Sequence, residues 1–382
     1  MHLLVTGGAG FIGSSVVERA GAAGHSVRVL DNLDPQVHAD PSAVNIPPAV
    51  EFIRGDIRDR DTCRAALDGI DAVVHCASAV GVAQSMYRIE HYVDVNVRGT
   101  ACLLEEIVAQ RGVIRKVVAL TSMTQYGEGL YRRLSDEATL RVGIRTEEDI
   151  RRSGWEPTCP DTGERLMAHP TPETTRLDGQ SVYAQTKRAQ EDLVLSLGAS
   201  YELPVVCLRL FNVFGPGQSL SNPYTGVIAI FLSRLLAGER PLVYEDGGQT
   251  RDFVSVHDVA RVICDALDST GENGLVLNIG SGTPRTISGI ATTLARLVGR
   301  SDLTPEISRR FRRGDVRHCV ADTTRASRTL GYAPSVNWEE GLTEVVTWAR
   351  SAPTRDGTSS AERELREHRL VTDTPIGAEG GQ

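Results

Sequence analysis

Short apolar runs alternate with stretches of helical periodicity along most of this chain. Met1–Thr6 (MHLLVT) reads as a buried strand, and Val16, Val17 and Ala20 fall on one face of the helix that follows. The runs Ser26–Leu30, Phe52–Arg54, Ala72–Ala77, Lys116–Thr121, Val205–Arg209 and Leu275–Ile279 repeat the strand pattern. Strands that alternate with helices in this way build a parallel sheet with helices on both faces. The fold class is therefore α/β: a doubly wound parallel sheet, with a smaller α+β domain on its C-terminal side.

Two segments break the pattern. Residues 128–179 are polar, rich in Pro and Arg, and too long for a plain connection. They are expected either to cover or border a ligand site at the carboxyl ends of the strands, or to form a partly mobile surface excursion. From about Ala352 the chain turns polar and Gly-rich with one charged helical run, Ala361–His368, and reads as a frayed tail. The expected division is 1–210 for the sheet domain, with the 128–179 insertion and a returning segment at about 252–269. Residues 211–352 form the second domain and 353–382 the tail.

Composition narrows the partners. A chain of 382 residues holds two to three domains, and its net charge of -8 argues against nucleic acid. Met1-His2 leads straight into a strand rather than a secretory signal, and no apolar run approaches membrane-spanning length. A cytoplasmic protein without a membrane partner is expected. The seven cysteines show no metal-ligand spacing, and Cys159-Pro160-Asp161-Thr162-Gly163 has no second thiol nearby, so no metal is expected.

The first strand runs directly into Gly7-Gly8-Ala9-Gly10-Phe11-Ile12-Gly13 and then a helix. Glycines here permit a tight turn, let the backbone approach a pyrophosphate, and allow close helix–strand packing, which is the Rossmann-type dinucleotide fingerprint. The phosphates then meet unpaired N–H groups at the positive end of the helix. Asp31 ends the second strand at about the ~20-residue spacing expected of the carboxylate that takes the adenosine ribose. Asn32, Leu33 and Asp34 offer no cation for a 2'-phosphate. The cofactor expected is NAD rather than its phosphorylated form.

Of the 41 Lys and Arg residues only Lys116 and Lys187 are lysines, and Lys187 stands four residues after Tyr183. Positions i and i+4 share a helix face, so phenol and ammonium project into one space. Alone, Tyr-x-x-x-Lys is an ordinary exposed helical pair; after a dinucleotide turn it becomes an acid–base candidate. A positive charge about 4 Å from a phenol is worth roughly 4 kcal/mol at an effective dielectric near 20, or about three pKa units, so the Lys187 ammonium and an oxidised nicotinamide together could bring Tyr183 from about 10 to near 7.

Further motifs follow in order: Gly55-Asp56-Ile57-Arg58-Asp59, Val74-His75-Cys76-Ala77, Asn96-Val97-Arg98-Gly99-Thr100, Thr121-Ser122-Met123-Thr124-Gln125-Tyr126-Gly127, Leu208–Pro216, Thr250-Arg251-Asp252-Phe253 and Arg312-Arg313-Gly314-Asp315. With them the chain, through about Arg350, resembles the extended short-chain dehydrogenase/reductases, specifically the nucleotide-sugar epimerases and dehydratases. The combination Trp155–Pro160, Ser219–Gly226 and Gly314–Cys319 is similar to the branch that epimerises dTDP-L-rhamnose at C-4.

The resemblance implies a role for each matched position. Gly7, Gly10, Phe11, Ile12, Gly13, Asp31 and Asn32 would hold the adenosine diphosphate half of NAD, with Asp56 and Ile57 at the adenine. Cys76, Ala77, Ser78, Asn96, Tyr183, Lys187 and Phe211 would sit along the nicotinamide half. Ser122, Tyr183 and Lys187 form the implied catalytic set. The phenolate takes the sugar 4-hydroxyl proton, and Ser122 steadies the developing carbonyl. Thr124, Asn212, Arg251, Arg312, Asp315 and Cys319 would meet the substrate, the two arginines on its diphosphate. Cys319 matches a position that gates the sugar pocket, where a thiol leaves room.

Family dehydratases carry an Asp-Glu pair directly after the Ser/Thr, where this chain has Met123 and Thr124, so dehydration is disfavoured. Three functions stay open. One is a 4-epimerase of a dTDP- or UDP-linked hexose, 6-deoxyhexose or uronate with retained NAD. The second is a nucleotide-sugar 4-ketoreductase that exchanges NAD(H) each turnover, and the third a non-catalytic cofactor-binding protein. The resemblance also implies a homodimer, formed through the helix from about Tyr92 to Val108 and the helix bearing Tyr183.

Overall fold

A computed structural model describes residues 1–38, 40–220, 222, 224, 226–271, 273–352 and 358–372. Its centre is a seven-stranded parallel sheet. The first five strands are β1 (His2–Thr6), β2 (Ser26–Asp31), β3 (Glu51–Arg54), β4 (Ala72–His75) and β5 (Lys116–Ser122), joined by Val205–Leu210 and Leu275–Ile279. Across the sheet the order is Leu275–Ile279, Val205–Leu210, β5, β4, β1, β2, β3. All seven sequence-predicted strands are present. Every residue of β4, β5 and Val205–Leu210 is buried, as a strand covered on both faces must be.

Alternate residues of these strands feed two cores. Leu3, Val5, Val29, Val74 and Val118 meet Val16, Val17 and Ala20 of helix α1 (Phe11–Ala22), together with Val259 and Ile263 of the helix Val256–Asp268. Leu4, Leu30, Val73 and Val117 meet Leu103, Ile107, Val194 and Leu197 on the opposite face. The chain builds outward from β1 to β3 and then returns to place β4 on the other side of β1. That reversal opens a crevice at the carboxyl ends of β1 and β4, where ligands of such sheets bind.

The smaller lobe has its own core, built around Phe214, Phe231, Leu232, Phe253, Ile290, Leu294 and Leu342. In it Asn212–Phe214 pairs in parallel with Thr250–Ser255, which also pairs with Pro284–Thr286 and His318–Cys319. The chain re-enters the large lobe over a longer stretch than 252–269. Val256–Asp268 packs on it, and Leu275–Ile279 is the edge strand beside Val205–Leu210.

The insertion is a folded unit. Leu130–Arg133, Thr139–Arg141 and Leu166–His169 form an antiparallel sheet, followed in sequence between the last two strands by a helix, Glu147–Ser153, that opens on a Thr146/Asp149 capping box. Ion pairs, which leave no periodic trace in the sequence, tie it to the small lobe. Arg145 reaches Glu245 at 2.8 Å, and Arg317 binds Glu156, Glu245 and Asp246 with only 1% of its side chain exposed.

The expected frayed tail is in part docked. Helix Thr358–Glu367 leads to residues that pair with the Phe311–Arg313 backbone: Arg313 N donates to Leu370 O at 2.9 Å and Thr372 N to Phe311 O at 2.9 Å. Leu365 and Val371 are buried. Residues 353–357 and 373–382 of the tail, and Ser221, Pro223 and Thr225 of the Ser219–Gly226 motif, lie outside the described residues.

Candidate active site

One cavity of about 520 Å³ joins the glycine turn to the Tyr183 helix. At one end lie Gly7, Gly10, Phe11, Ile12, Gly13, Asp31, Asn32, Asp56 and Ile57; at the other, Cys76, Ala77, Ser78, Ser122, Thr124, Tyr183, Lys187, Phe211 and Asn212.

The glycine turn is shaped for close approach. Gly7 has φ +68°, and a Cβ on it would come within 2.7 Å of Ala77 N; a Cβ on Gly13 would reach 2.1 Å from Gly7 O. Neither position tolerates a side chain. No side chain caps α1, so its first N–H groups face the cavity. Asp31 Oδ2 accepts from Ala9 N at 3.1 Å and Oδ1 from Leu33 N at 2.9 Å, which fixes the carboxylate at the end of β2. Asn32 donates to Asp56, whose carboxyl is drawn down to about 2: burial opposes this, but the hydrogen bonds and charge of Arg58 outweigh it. A glycine cradle, an uncapped helix start and a carboxylate three strand spacings from Ser122 fit an adenosine diphosphate.

Ser122 ends β5 and Tyr183 begins the helix Val182–Tyr201, with Ser181 as its N-cap. Thr124 donates through both Oγ1, at 2.9 Å, and N, at 3.2 Å, to Ser122 Oγ. That leaves the Ser122 hydroxyl hydrogen for the Tyr183 oxygen. Tyr183 is held from behind by its N–H to Ser85 Oγ at 2.9 Å and by an edge-on Tyr92 ring at 6.3 Å. Burial pushes the Tyr183 phenol up to about 12, with the Ser122 hydrogen bond pulling the other way. Burial dominates in the protein alone, whereas the value near 7 is expected of the oxidised nicotinamide acting together with Lys187. Its Nζ donates to Leu120 O at 2.7 Å and Gln190 Oε1 at 2.6 Å, and burial draws it down to about 8.

Asn96, expected to make a structural hydrogen bond near the cofactor, is fully buried behind the cavity wall, whereas four expected substrate contacts lie outside the lining. Asn96 lies in a π turn, Asp94–Arg98, that interrupts the helix run from Ile89 to Ala109. From there its amide bonds Ala79 N, Ala79 O, Ser78 Oγ and Thr186 Oγ1, so it shapes the loop that forms the cavity wall. Arg251, Arg312 and Asp315 are brought together but lie outside the lining. Arg251 meets Asp315 at 2.9 Å and Arg312 meets it at 2.7 Å, so the two guanidiniums share one carboxylate and the trio keeps one net positive charge. Cys319 is likewise outside the lining. It packs with Met123, Tyr126 and Phe211, one layer behind the wall that it was expected to form. No residue of 128–179 lines the cavity.

The structure adds wall residues that no motif indicated: Gln36 and His38 near Asp31, Gln84 beside Tyr92, and Gln218, whose buried Oε1 has no hydrogen-bond partner among the described residues. The carboxylates of the lining are Asp31, Asp34 and Asp56, all at the adenosine end.

A profile of the NAD dependent epimerase/dehydratase family matches residues 3–147 and 160–280. The dTDP-L-rhamnose 4-epimerase of Burkholderia thailandensis is 35% identical over 354 residues, which span 91% of this chain and 94% of that protein. The crystal structure of UDP-glucose 4-epimerase from Thermotoga maritima with UDP-glucose is similar at a TM-score of 0.75 and 29% identity, covering 92% of this chain and 99% of that one. The dTDP-glucose 4,6-dehydratase of Streptomyces venezuelae with NAD bound gives 0.73 and 28%, over 92% and 97%.

Proposed function

From the premise that the chain belongs to the NAD-dependent epimerase/dehydratase family, we propose that it is a nucleotide-sugar 4-epimerase. Its substrate is a dTDP- or UDP-linked sugar, with dTDP-L-rhamnose the first candidate and deoxysugar synthesis the setting. The observation that carries this reading is the make-up of the cavity that joins the glycine turn to the Tyr183 helix. A dinucleotide cradle and a Ser122–Tyr183 pair share it, while its carboxylates lie only at the adenosine end. Elimination of water needs its own acid and base beside the sugar; Met123 and Thr124 supply neither.

Gly7, Gly10–Gly13, Asp31, Asn32, Asp56, Ile57, Cys76–Ser78 and Phe211 would hold NAD. When bound, it supplies a hydride acceptor, a returnable hydride and a positive charge near the phenol. Tyr183 takes the 4-hydroxyl proton and later returns it. Ser122, oriented by Thr124, donates to the same oxygen as it becomes a carbonyl. Buried Lys187 holds its positive charge on the same helix face as Tyr183, four residues along. Asn212 and Gln218 face the sugar side. A diphosphate would compete with Asp315 for Arg251 and Arg312.

A homodimer is part of the proposal. Met86, Ile89 and Val93, on the turn and short helix that lead into the helix from about Tyr92 to Val108, remain 40–53% exposed, apolar surface that a second copy would cover. No described helix is long and apolar enough to cross a membrane; a cytoplasmic location is proposed with the rest.

The test is to incubate the purified protein with dTDP-L-rhamnose, UDP-glucose and UDP-galactose without added NADH and to follow the sugar H-4 couplings by proton NMR. Interconversion of axial and equatorial H-4, with NAD retained through gel filtration, is the expected result. No interconversion without added cofactor, but stoichiometric reduction of added NAD+ as these sugars are oxidised, would replace the epimerase with a reductase.

A further inference from the structure

Lys187 carries three N–H donors, no acceptor, and is 4% exposed. One hydrogen goes to the main-chain carbonyl of Leu120 and one to Gln190 Oε1, with Ser78 Oγ at 3.4 Å in a third direction. Gln190 is completely buried and stands three residues after Lys187 and seven after Tyr183, on the same helix face.

The orientation of this amide is dictated by its neighbours. An ammonium can only donate, so Gln190 must turn its oxygen toward Lys187, and its Nε2 then donates to Thr100 Oγ1 at 3.2 Å. The Thr100 hydroxyl hydrogen goes to Asn96 O at 2.6 Å, so Thr100 Oγ1 also accepts from His75 Nε2 at 2.9 Å. His75 is therefore the Nε2–H tautomer, with Nδ1 accepting from Thr6 Oγ1 at 2.8 Å. Each proton along the line from Lys187 to Thr6 has one place.

We propose that Gln190 is a positioning residue of the active site, whose side-chain oxygen keeps the buried Lys187 amine charged and sets the direction of its remaining hydrogen toward Ser78 and the cavity. The proposal rests on the reading of Tyr183 and Lys187 as the acid–base pair. An apolar side chain of the same length would fill the volume equally well, but only an acceptor sustains the charge.

The other groups around Lys187 offer little compensation. Tyr183 and Glu191 come from its own helix, His75 from the end of β4 with Cys76 just after it, and Cys207 from Val205–Leu210 beside β5. Glu191 is already paired with Arg209 at 2.6 Å and accepts from Thr121 at 2.9 Å. Burial keeps His75 neutral and pushes both thiols up, Cys76 to about 12.

With only two lysines in the chain, side-chain 13Cε NMR of 13C-lysine-labelled full-length protein reads Lys187 directly, and Lys116→Arg identifies the other signal. Gln190→Met should lower the Lys187 titration midpoint, and Gln190→Glu should raise it, each by about one to two pH units, the size of one charge-assisted hydrogen bond. The alkaline limb of turnover should move with the midpoint. Midpoints that stay at the wild-type value, or that move the same way in both variants, would overturn the proposal. If Gln190→Met does not fold, a Gln190→Glu midpoint that fails to rise is sufficient to do so. The titration is independent of turnover, so an inactive wild type with divergent midpoints would discard the catalytic reading and leave the control of Lys187 by Gln190 intact.

Discussion

Thr124 donates its hydroxyl hydrogen to Ser122 Oγ at 2.9 Å, and by doing so directs the serine's own hydrogen at Tyr183. Thr124→Val keeps the shape and removes the donor. One such hydrogen bond is worth about 1 kcal/mol, so kcat should fall several-fold while KM stays near wild type. Steady-state kinetics with the preferred nucleotide sugar checks this, and an unchanged kcat would mean that Ser122 needs no guidance.

Tyr183→Phe removes the hydroxyl that carries the proton. Turnover should drop by on the order of 10² to 10⁴, while NAD remains bound after desalting, because the glycine cradle is untouched. In the wild type, burial holds the phenol near 12, and the positive charge of bound NAD must lower it. The phenol's ultraviolet titration should therefore move to lower pH when NAD is loaded.

His75 makes the protein acid-sensitive. Burial depresses the imidazole to about 3, whereas an unfolded histidine takes a proton near 6.5. Below that value the unfolded chain binds a proton that the native state refuses, so stability is lost as pH falls from about 6.5 toward 3. Between pH 7 and 5 the loss is roughly 2 kcal/mol. Urea unfolding of His75→Gln should show a drop over that interval smaller by this amount; equal drops would exclude His75 as the cause.

Arg317 holds three carboxylates, of which Glu245 has a fully buried side chain. Arg317→Leu leaves Glu245 to Arg145 alone, so the loss should stay below the about 3–5 kcal/mol that a fully uncompensated buried charge costs. A urea midpoint lowered accordingly is expected. The double variant with Glu245→Gln should recover part of the loss.

Glu364, in the docked tail helix, accepts from Tyr87 at 2.7 Å and from Tyr224, a cavity-wall residue, at 2.5 Å. Glu364→Ala should raise KM for the sugar nucleotide about five- to tenfold, the equivalent of ~1 kcal/mol, with kcat nearly constant. A wild-type KM would show that the tail does not shape the pocket.

The parts of the molecule legible in its sequence are those in which one local pattern fixes the structure. Strands buried on both faces must be apolar throughout, as in Val73-Val74 and Val117–Leu120, and a tight phosphate turn must be glycine at positions 7 and 13. What escaped depends on partners far along the chain. The insertion is fastened by Arg145 to Glu245 and by Glu156 to Arg317, pairs separated by 100 and 161 residues. Asp315 reads as a ligand contact but lies between Arg251 and Arg312, and Cys319 is one layer too deep. Motif spacing conveys residue type and order; it does not convey depth.

The seventh strand is contributed by Leu275–Ile279, after the chain has already built part of the small lobe. A gene trimmed to end at Leu210 would therefore leave the edge of Val206–Leu210 that pairs with Leu275–Ile279 without a hydrogen-bonding partner. Such a fragment would be expected to assemble edge to edge into insoluble material rather than yield a working nucleotide-binding half. The two lobes are in this sense one folding unit, and neither can be borrowed for a fusion without the other.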